Sequence, residues 1–359
     1  MEKRKIIVAP LNWGLGHATR CIPIIKALLQ YDFEPVIASD GVALELLKKE
    51  FPYLRAITLP SYNITYPKKA INFKLKLIKD SPHLVSTIKR EKKVIHTIID
   101  SEHISGIISD NRFGVRHRSI PSVFITHQLQ VLSGNTTWLS SKLHQKIIQK
   151  FDECWVPDHK GLNNLSGNLG HPEDFKHLIK YLGPLSRFHK LNLKIKYDLL
   201  VVLSGPEPQR TFLEKKLFEE LEHYNGKVCF VKGKIKSPQN KTVKNNMIIY
   251  NYMTSNELEI AINESAIILS RSGYTSIMDY AKLEKKAFFI PTPGQFEQEY
   301  LANKFHNEGL APYCNQKDFK VEMLSEVNNY KGFTHTNYNI NFRKLFNLFQ
   351  RERKLTSDT

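Results

Sequence analysis

Ala266-Ile267-Ile268-Leu269-Ser270-Arg271-Ser272-Gly273-Tyr274-Thr275-Ser276-Ile277-Met278-Asp279 reads as a strand that turns through Ser-Gly into a helix continuing to about Leu283. Such a turn leaves several backbone N–H groups at the helix start without a partner. Those donors, together with the positive end of the helix dipole, suit a phosphate or diphosphate. Asp279 lies about two turns further along, where a carboxylate can accept hydrogen bonds from sugar hydroxyls. The plainer alternative is an ordinary α/β helix with Ser272 as its N-cap.

The same rhythm extends in both directions. Apolar runs predict strands at Lys5–Ala9, Phe33–Ala38, Leu54–Leu59, Ser105–Ser109, Ser122–Thr126 and Glu153–Val156. Helical spacing predicts Ala18–Gln30, Val42–Glu50 and Ser140–Phe151 between them. The pattern restarts with strands at Asp198–Leu203, Lys227–Val231, Met247–Tyr250, Ala266–Leu269 and Lys286–Pro291, with helices at Pro208–His223, Ser255–Asn263 and Phe296–Asn307. Strands alternating with helices imply parallel sheets with right-handed crossovers, built twice. The expected fold is α/β, with two doubly wound Rossmann-like domains facing a central cleft. Residues 1–183 form the first domain and 184–340 the second, with Gly183–Lys196 as hinge. The tail, 341–359, is expected to carry a helix that packs back on the first domain.

At 359 residues, with 41% hydrophobic and 24% charged residues, the chain suits a soluble globular protein with large cores. Cys21, Cys154, Cys229 and Cys314 are scattered and form no C-x-x-C pair, so free thiols in a reducing compartment are expected. No apolar run approaches the ~20 residues that cross a bilayer. The basic start runs into Asn12 too soon for a signal segment. Net charge is +17, concentrated between Lys68 and Lys93, where Ile71, Phe73, Leu75, Leu77 and Ile78 interleave nine basic residues. That stretch suits an anionic membrane surface, the alternative being a solvated helix face. No nucleic-acid motif accompanies it, and no nucleic-acid partner is expected.

Asn12-Trp13-Gly14-Leu15-Gly16-His17 follows the first strand. Gly14 and Gly16 permit a tight turn and close approach, although Thr19 stands at the third glycine position of a dinucleotide fingerprint. His17 at a helix N-terminus is biased toward the neutral imidazole, which can act as a base. The alternative is a histidine that caps its own helix. Ser204-Gly205 after the Asp198–Leu203 strand is a second candidate phosphate turn. Gln298 and Glu299 lie just past another strand end, where amides and carboxylates can meet sugar hydroxyls. No Asp-x-Asp pair or His/Cys cluster occurs, so neither a metal nor a resident cofactor is expected.

Assembled in this order, the motifs resemble those of the GT-B glycosyltransferases, above all those similar to MurG, which adds N-acetylglucosamine to a lipid-linked peptidoglycan precursor. Gly14-Leu15-Gly16-His17, Thr126-His127-Gln128, Gly183-Pro184-Leu185-Ser186-Arg187, Ser270–Asp279 and Gln298-Glu299 carry the likeness. The resemblance implies an inverting, metal-independent transfer from a UDP-sugar to a lipid-linked or cell-surface glycan. It places such an enzyme in the cytoplasm, peripherally bound to the inner face of the membrane. It casts His17 as base and Gly14, Gly16, His127 and Gln128 on the acceptor side. Ser272, Gly273 and Thr275 would cradle the diphosphate with Tyr274 beside them, and Asp279 would hold the ribose. Gln298 and Glu299 would read the sugar, Arg187 would contact nucleotide or phosphate, and Tyr252 and Met253 would border the base. Trp13 and Glu299 depart from the MurG pattern and favour another acceptor, such as a glycolipid or polysaccharide precursor. A UDP-sugar 2-epimerase on the same fold and a polyanion binder are the competing classes.

Overall fold

The computed structural model describes residues 3–63, 73–132, 137–173, 175, 177–234, 238–334 and 340–350, with side chains from residue 82 onward in the stretch that begins at 73. Much of the basic Lys68–Lys93 segment therefore lies outside the described residues. Among those described, two separate sheets organise the chain.

The first sheet has seven strands: β1 (Arg4–Pro10), β2 (Phe33–Ser39), β3 (Ala56–Thr58), β4 (Ile104–Asp110), β5 (Ser122–Ile125), β6 (Glu153–Val156) and β7 (Ile179–Tyr181). They lie in the order β3-β2-β1-β4-β5-β6-β7, all parallel. The second sheet has six: β8 (Tyr197–Val202), β9 (Val228–Val231), β10 (Lys241–Lys244), β11 (Met247–Tyr250), β12 (Ser265–Ser270) and β13 (Lys286–Phe289). Its order is β10-β11-β9-β8-β12-β13, with only β10 antiparallel. Strand order reverses at β1/β4 in one sheet and at β8/β12 in the other. In open α/β sheets the crevice beyond the strand ends at such reversals is where ligands bind. The chain is thus a double Rossmann-like α/β protein.

The inner strands are continuous apolar runs because helices cover both faces. Ile6, Ile7, Val8 and Ala9 of β1 are all fully buried. Helices α1 (Gly16–Gln30), α2 (Gly41–Glu50), α3 (Phe73–Glu102) and α4 (Thr137–Ile148) accompany the first sheet. Helices α5 (Gln209–Glu220), α6 (Ser255–Asn263), α7 (Tyr274–Leu283) and α8 (Phe296–Asn307) accompany the second. Helix α9 (Phe342–Gln350) lies against the first sheet. Phe346 meets Phe33 edge-on at 5.6 Å, and Arg4 donates to the Phe349 carbonyl at 2.7 Å. Gly106 of β4 has no side chain because the Phe349 ring occupies that space.

Four elements were not anticipated from sequence: β7, β10 and the 3-10 runs at Gly167–Leu169 and Val321–Asn329; α3, legible only as a basic helical stretch, is 30 residues long. Within α3, Glu91 is fully buried and takes Arg112 at 2.6 Å, Tyr62 at 2.5 Å and the Gly114 amide at 3.0 Å. That carboxylate anchors the otherwise basic helix to the sheet.

Candidate functional site

The glycine turn after β1 opens α1. Gly14 adopts φ +78°, a left-handed conformation that favours glycine. Leu15 is the N-cap and offers no capping side chain, so His17 does not cap its own helix. Its Nδ1 instead lies 2.8 Å from Oδ1 of Asp110, at the end of the neighbouring strand β4. The reversal of strand order at β1/β4 brings these residues together. Arg20, one turn on, donates from Nε to Asp110 Oδ2 at 2.5 Å and forms an ion pair with Oδ1. Burial opposes the Asp110 charge, yet Arg20 and His17 outweigh it and hold this carboxyl well below the usual carboxylate range. For His17 burial is the largest influence and lowers its pKa; Asp110 opposes that and Arg20 adds to it. A neutral imidazole oriented by a carboxylate is the result. Neither Asp110 nor Arg20 was expected from the sequence, because strand-end carboxylates and helix arginines are common until topology places them.

His127 follows β5 as expected. Arg20 Nη1 lies 3.0 Å from its Nδ1, and Tyr274 of the second unit stacks on its ring at 4.1 Å. Its Nε2 lies 2.8 Å from Glu297 Oε1, and the Gln128 amide donates to the other Glu297 oxygen. Glu297, at the start of α8, lies in the same polar stretch as Gln298 and Glu299, but its sequence gives it no separate role. Gln298 is buried, with Oε1 accepting from the Thr292 amide at 2.8 Å. Glu299 accepts from the Gly294 amide at 2.8 Å. The residue that crosses the cleft is thus Glu297, while Gln298 braces the loop beneath α7 and Glu299 closes the turn before α8.

At the donor-side turn, Gly273 is the N-cap of α7 and no side chain caps the helix. Ser272 is not the cap of the alternative reading: it is fully buried, and its hydroxyl donates to the Gln298 carbonyl at 2.7 Å. Among the described residues the first-turn N–H groups thus have no side-chain acceptor. Thr275 faces the first unit, donating to the Gly16 carbonyl at 3.3 Å, and Tyr274 donates to the Pro157 carbonyl at 2.9 Å. Arg271 is buried among neutral acceptors, the carbonyls of Ile290 and Pro291 and the Gln316 amide oxygen, and burial pushes its pKa down to about 9. Asp279 accepts from Ser186 at 2.6 Å, and burial pushes its pKa up to about 6 against the pull of Arg187. Arg187 lies over the Phe188 ring at 4.7 Å with a buried, unpartnered Nε. Ser204 and Gly205 follow β8 across the reversal of strand order, and Gly205 has φ +97°. A Cβ there would stand 3.8 Å from the buried Thr292 hydroxyl, which has no hydrogen-bond partner among the described residues. Tyr252 lies under Lys49 of the first unit at 4.9 Å, and Met253 packs on the adjoining core.

Residues 206–336 match the model of the glycosyltransferase family 28 C-terminal domain. Over 335 residues the chain is 24% identical to the UDP-N-acetylglucosamine--N-acetylmuramyl-(pentapeptide) pyrophosphoryl-undecaprenol N-acetylglucosamine transferase of Clostridium botulinum, covering 89% of this chain and 87% of that one. The protein of the same name from Buchnera aphidicola is 26% identical over 219 residues, 57% of this chain and 56% of its own. The MurG structure from Acinetobacter baumannii superposes with a TM-score of 0.51 at 13% identity, covering 97% of this chain and 92% of that one. The glycotransferase of kitacinnamycin gives 0.60 at 11% identity, covering 91% and 90%. The chain is a glycosyltransferase of the GT-B fold that resembles MurG.

The family model covers the second unit, where the uncapped helix start lies. Trp13 is partly exposed at the glycine turn, beside His17. Among the described residues no helix is long and apolar enough to cross a membrane.

Proposed function

We propose that this transferase moves a sugar from a UDP-sugar, UDP-N-acetylglucosamine or a similar hexose donor, to a lipid-linked or cell-surface glycan at the membrane surface. The transfer would be inverting and need no metal. The observation that carries the reading is the His17–Asp110 pair facing an uncapped helix start, with Thr275 and Gly16 in contact across the divide. Residues 1–183 would hold the acceptor and 184–340 the donor.

With its Nδ1–H toward Asp110, a contact that competes with Arg20 Nη2 at 2.8 Å from the same nitrogen, His17 would leave Nε2 as the basic nitrogen. That nitrogen takes the acceptor hydroxyl proton as the oxygen attacks the anomeric carbon. The departing diphosphate gathers charge at the N–H groups of Gly273 and Thr275, which are preoriented for it. Asp279 would hold the ribose, Arg187 a phosphate or the nucleotide, and Tyr252 and Met253 the base. Glu297 would be the sugar-side group, its carboxylate reaching His127 and Gln128, while Gln298 and Glu299 would act on the sugar through the loop they hold. The basic Lys68–Lys93 stretch would dock the enzyme on the inner face of an anionic membrane.

UDP release from UDP-N-acetylglucosamine, measured with membrane lipid extract as acceptor source and EDTA present, tests the proposal. Wild-type protein turns over under these conditions, while His17→Ala loses roughly 100-fold or more in kcat with an unchanged melting temperature. Full kcat in His17→Ala, or activity abolished by EDTA, would refute the assigned chemistry. Conversion of the donor alone to an epimer would favour the 2-epimerase instead.

A further inference from the structure

Away from the cleft, the connection between β4 and β5 meets α3 and borders a half-open pocket with it. It is a cavity of about 160 Å³ lined by Lys92, His96, Arg116, His117 and Arg118. Lys150 stands close by: Arg116 donates to its carbonyl at 3.5 Å, and its charge acts on Lys92. Neither Lys92, Arg116, Arg118 nor Lys150 has a carboxylate partner among the described residues. Like charges held together without compensation cost stability, which is tolerable where an anion supplies the missing charge.

The hydrogen bonds make the pocket a set of donors. His117 Nδ1 accepts from the Ser119 amide at 3.2 Å, so the neutral ring carries its proton on Nε2. That nitrogen lies 3.1 Å from His96 Nδ1, which must then accept. The remaining His96 nitrogen, Nε2, is an N–H donor. Ammonium and guanidinium groups, which cannot accept a hydrogen bond, and the His96 Nε2–H thus border one space from two elements. Burial and the neighbouring cations Arg116, Lys150 and Arg118 also pull the Lys92 pKa down.

We propose that this pocket binds a phosphate group, as free phosphate or as the phosphomonoester headgroup of a lipid, at a site separate from the sugar-transfer cleft. A tetrahedral dianion accepts from several directions at once and matches clustered, divergent donors better than a planar carboxylate does. A pocket lined by five residues, rather than an extended basic stripe, argues against a nucleic-acid strand.

NMR of the histidine ring nitrogens during titration with inorganic phosphate tests the site locally, whatever else phosphate touches. The signals of His96 and His117 are expected to move and saturate. Arg116→Gln/Arg118→Gln is expected to weaken that binding by roughly tenfold or more. Lys215→Gln/Lys241→Gln removes as much charge elsewhere and should leave it unchanged; melting temperatures confirm that both variants fold. Sedimentation with phosphatidylcholine vesicles, with and without phosphatidic acid, separates the sources. Capture by phosphatidic acid that the Arg116/Arg118 variant loses marks a headgroup, and response to free phosphate alone marks the soluble ion. The proposal is overturned if neither phosphate nor phosphatidic acid moves the His96 and His117 signals, or if the Arg116/Arg118 variant binds as tightly as the control.

Discussion

His17 and Asp279 are both buried titratable groups, but burial acts on them in opposite senses. The His17 pKa lies below its ordinary 6.5, mainly through burial, so the neutral imidazole predominates where an unperturbed histidine would be half protonated. If the neutral ring is the base, kcat/KM rises with pH through a pKa below 6.5 and is flat above it, which a pH–rate profile of the UDP-release assay measures. Asp279 has its folded pKa raised from 3.8 to about 6, so the folded state binds this proton more tightly than the unfolded state. Its ionisation therefore costs stability above about pH 6, and the cost vanishes as pH falls below 3.8. Asp279→Asn should raise the melting temperature at pH 8, by up to about 3 kcal/mol in stability, and have little effect near pH 4. Equal effects at both pH values would mean that the carboxylate is not held up by burial.

Among the elements, α7 and α9 illustrate what could and could not be read from the residues. Ala266–Leu269 followed by Ser-Arg-Ser-Gly announced a strand-to-helix turn, and β12 and α7 occupy that place. The observed termini of α6 and α8 also coincide with the expected Ser255–Asn263 and Phe296–Asn307. Strand β10 escaped notice because it is an exposed edge rich in lysine, with no apolar run, and β7 because it is three residues long. At the site, His17, His127 and the Ser-Gly turn carried local signals. Asp110, Arg20 and Glu297 did not, because their roles arise from contacts made 90 to 170 residues away. The tail helix α9 is amphipathic and buries Phe346 and Phe349 against the first sheet. Phe349→Ala should cost about 3–5 kcal/mol, read as a lower midpoint in urea unfolding. An unchanged midpoint would mean that α9 does not support this core.

At the scale of the whole molecule, the two sheets meet through polar contacts as well as packing. Glu297 reaches His127 and Gln128, Ser255 reaches Glu50, and Lys304 donates to the Asn164 carbonyl at 2.9 Å. Gly16 is part of the same divide: a Cβ there would stand 2.8 Å from the Thr275 hydroxyl. Both reversals of strand order open toward this divide, so the base and the anion-binding helix start are contributed by different units. Such an arrangement makes sugar transfer depend on how the units face one another, while donor binding depends mainly on the second.

Donor binding at the α7 helix start is therefore the central claim, and Gly273 allows it to be tested without disturbing the fold. Gly273 has φ −73°, and a Cβ there would find no nearer neighbour than Gln298 Nε2 at 4.0 Å. Calorimetric titration with UDP, comparing wild type with Gly273→Val, is the direct measurement. One equivalent of UDP is expected to bind the wild type, and the variant, with an unchanged melting temperature, should bind roughly tenfold or more weakly because its side chain stands where the diphosphate approaches. Equal UDP affinity in the two proteins, or none in the wild type, would contradict the account.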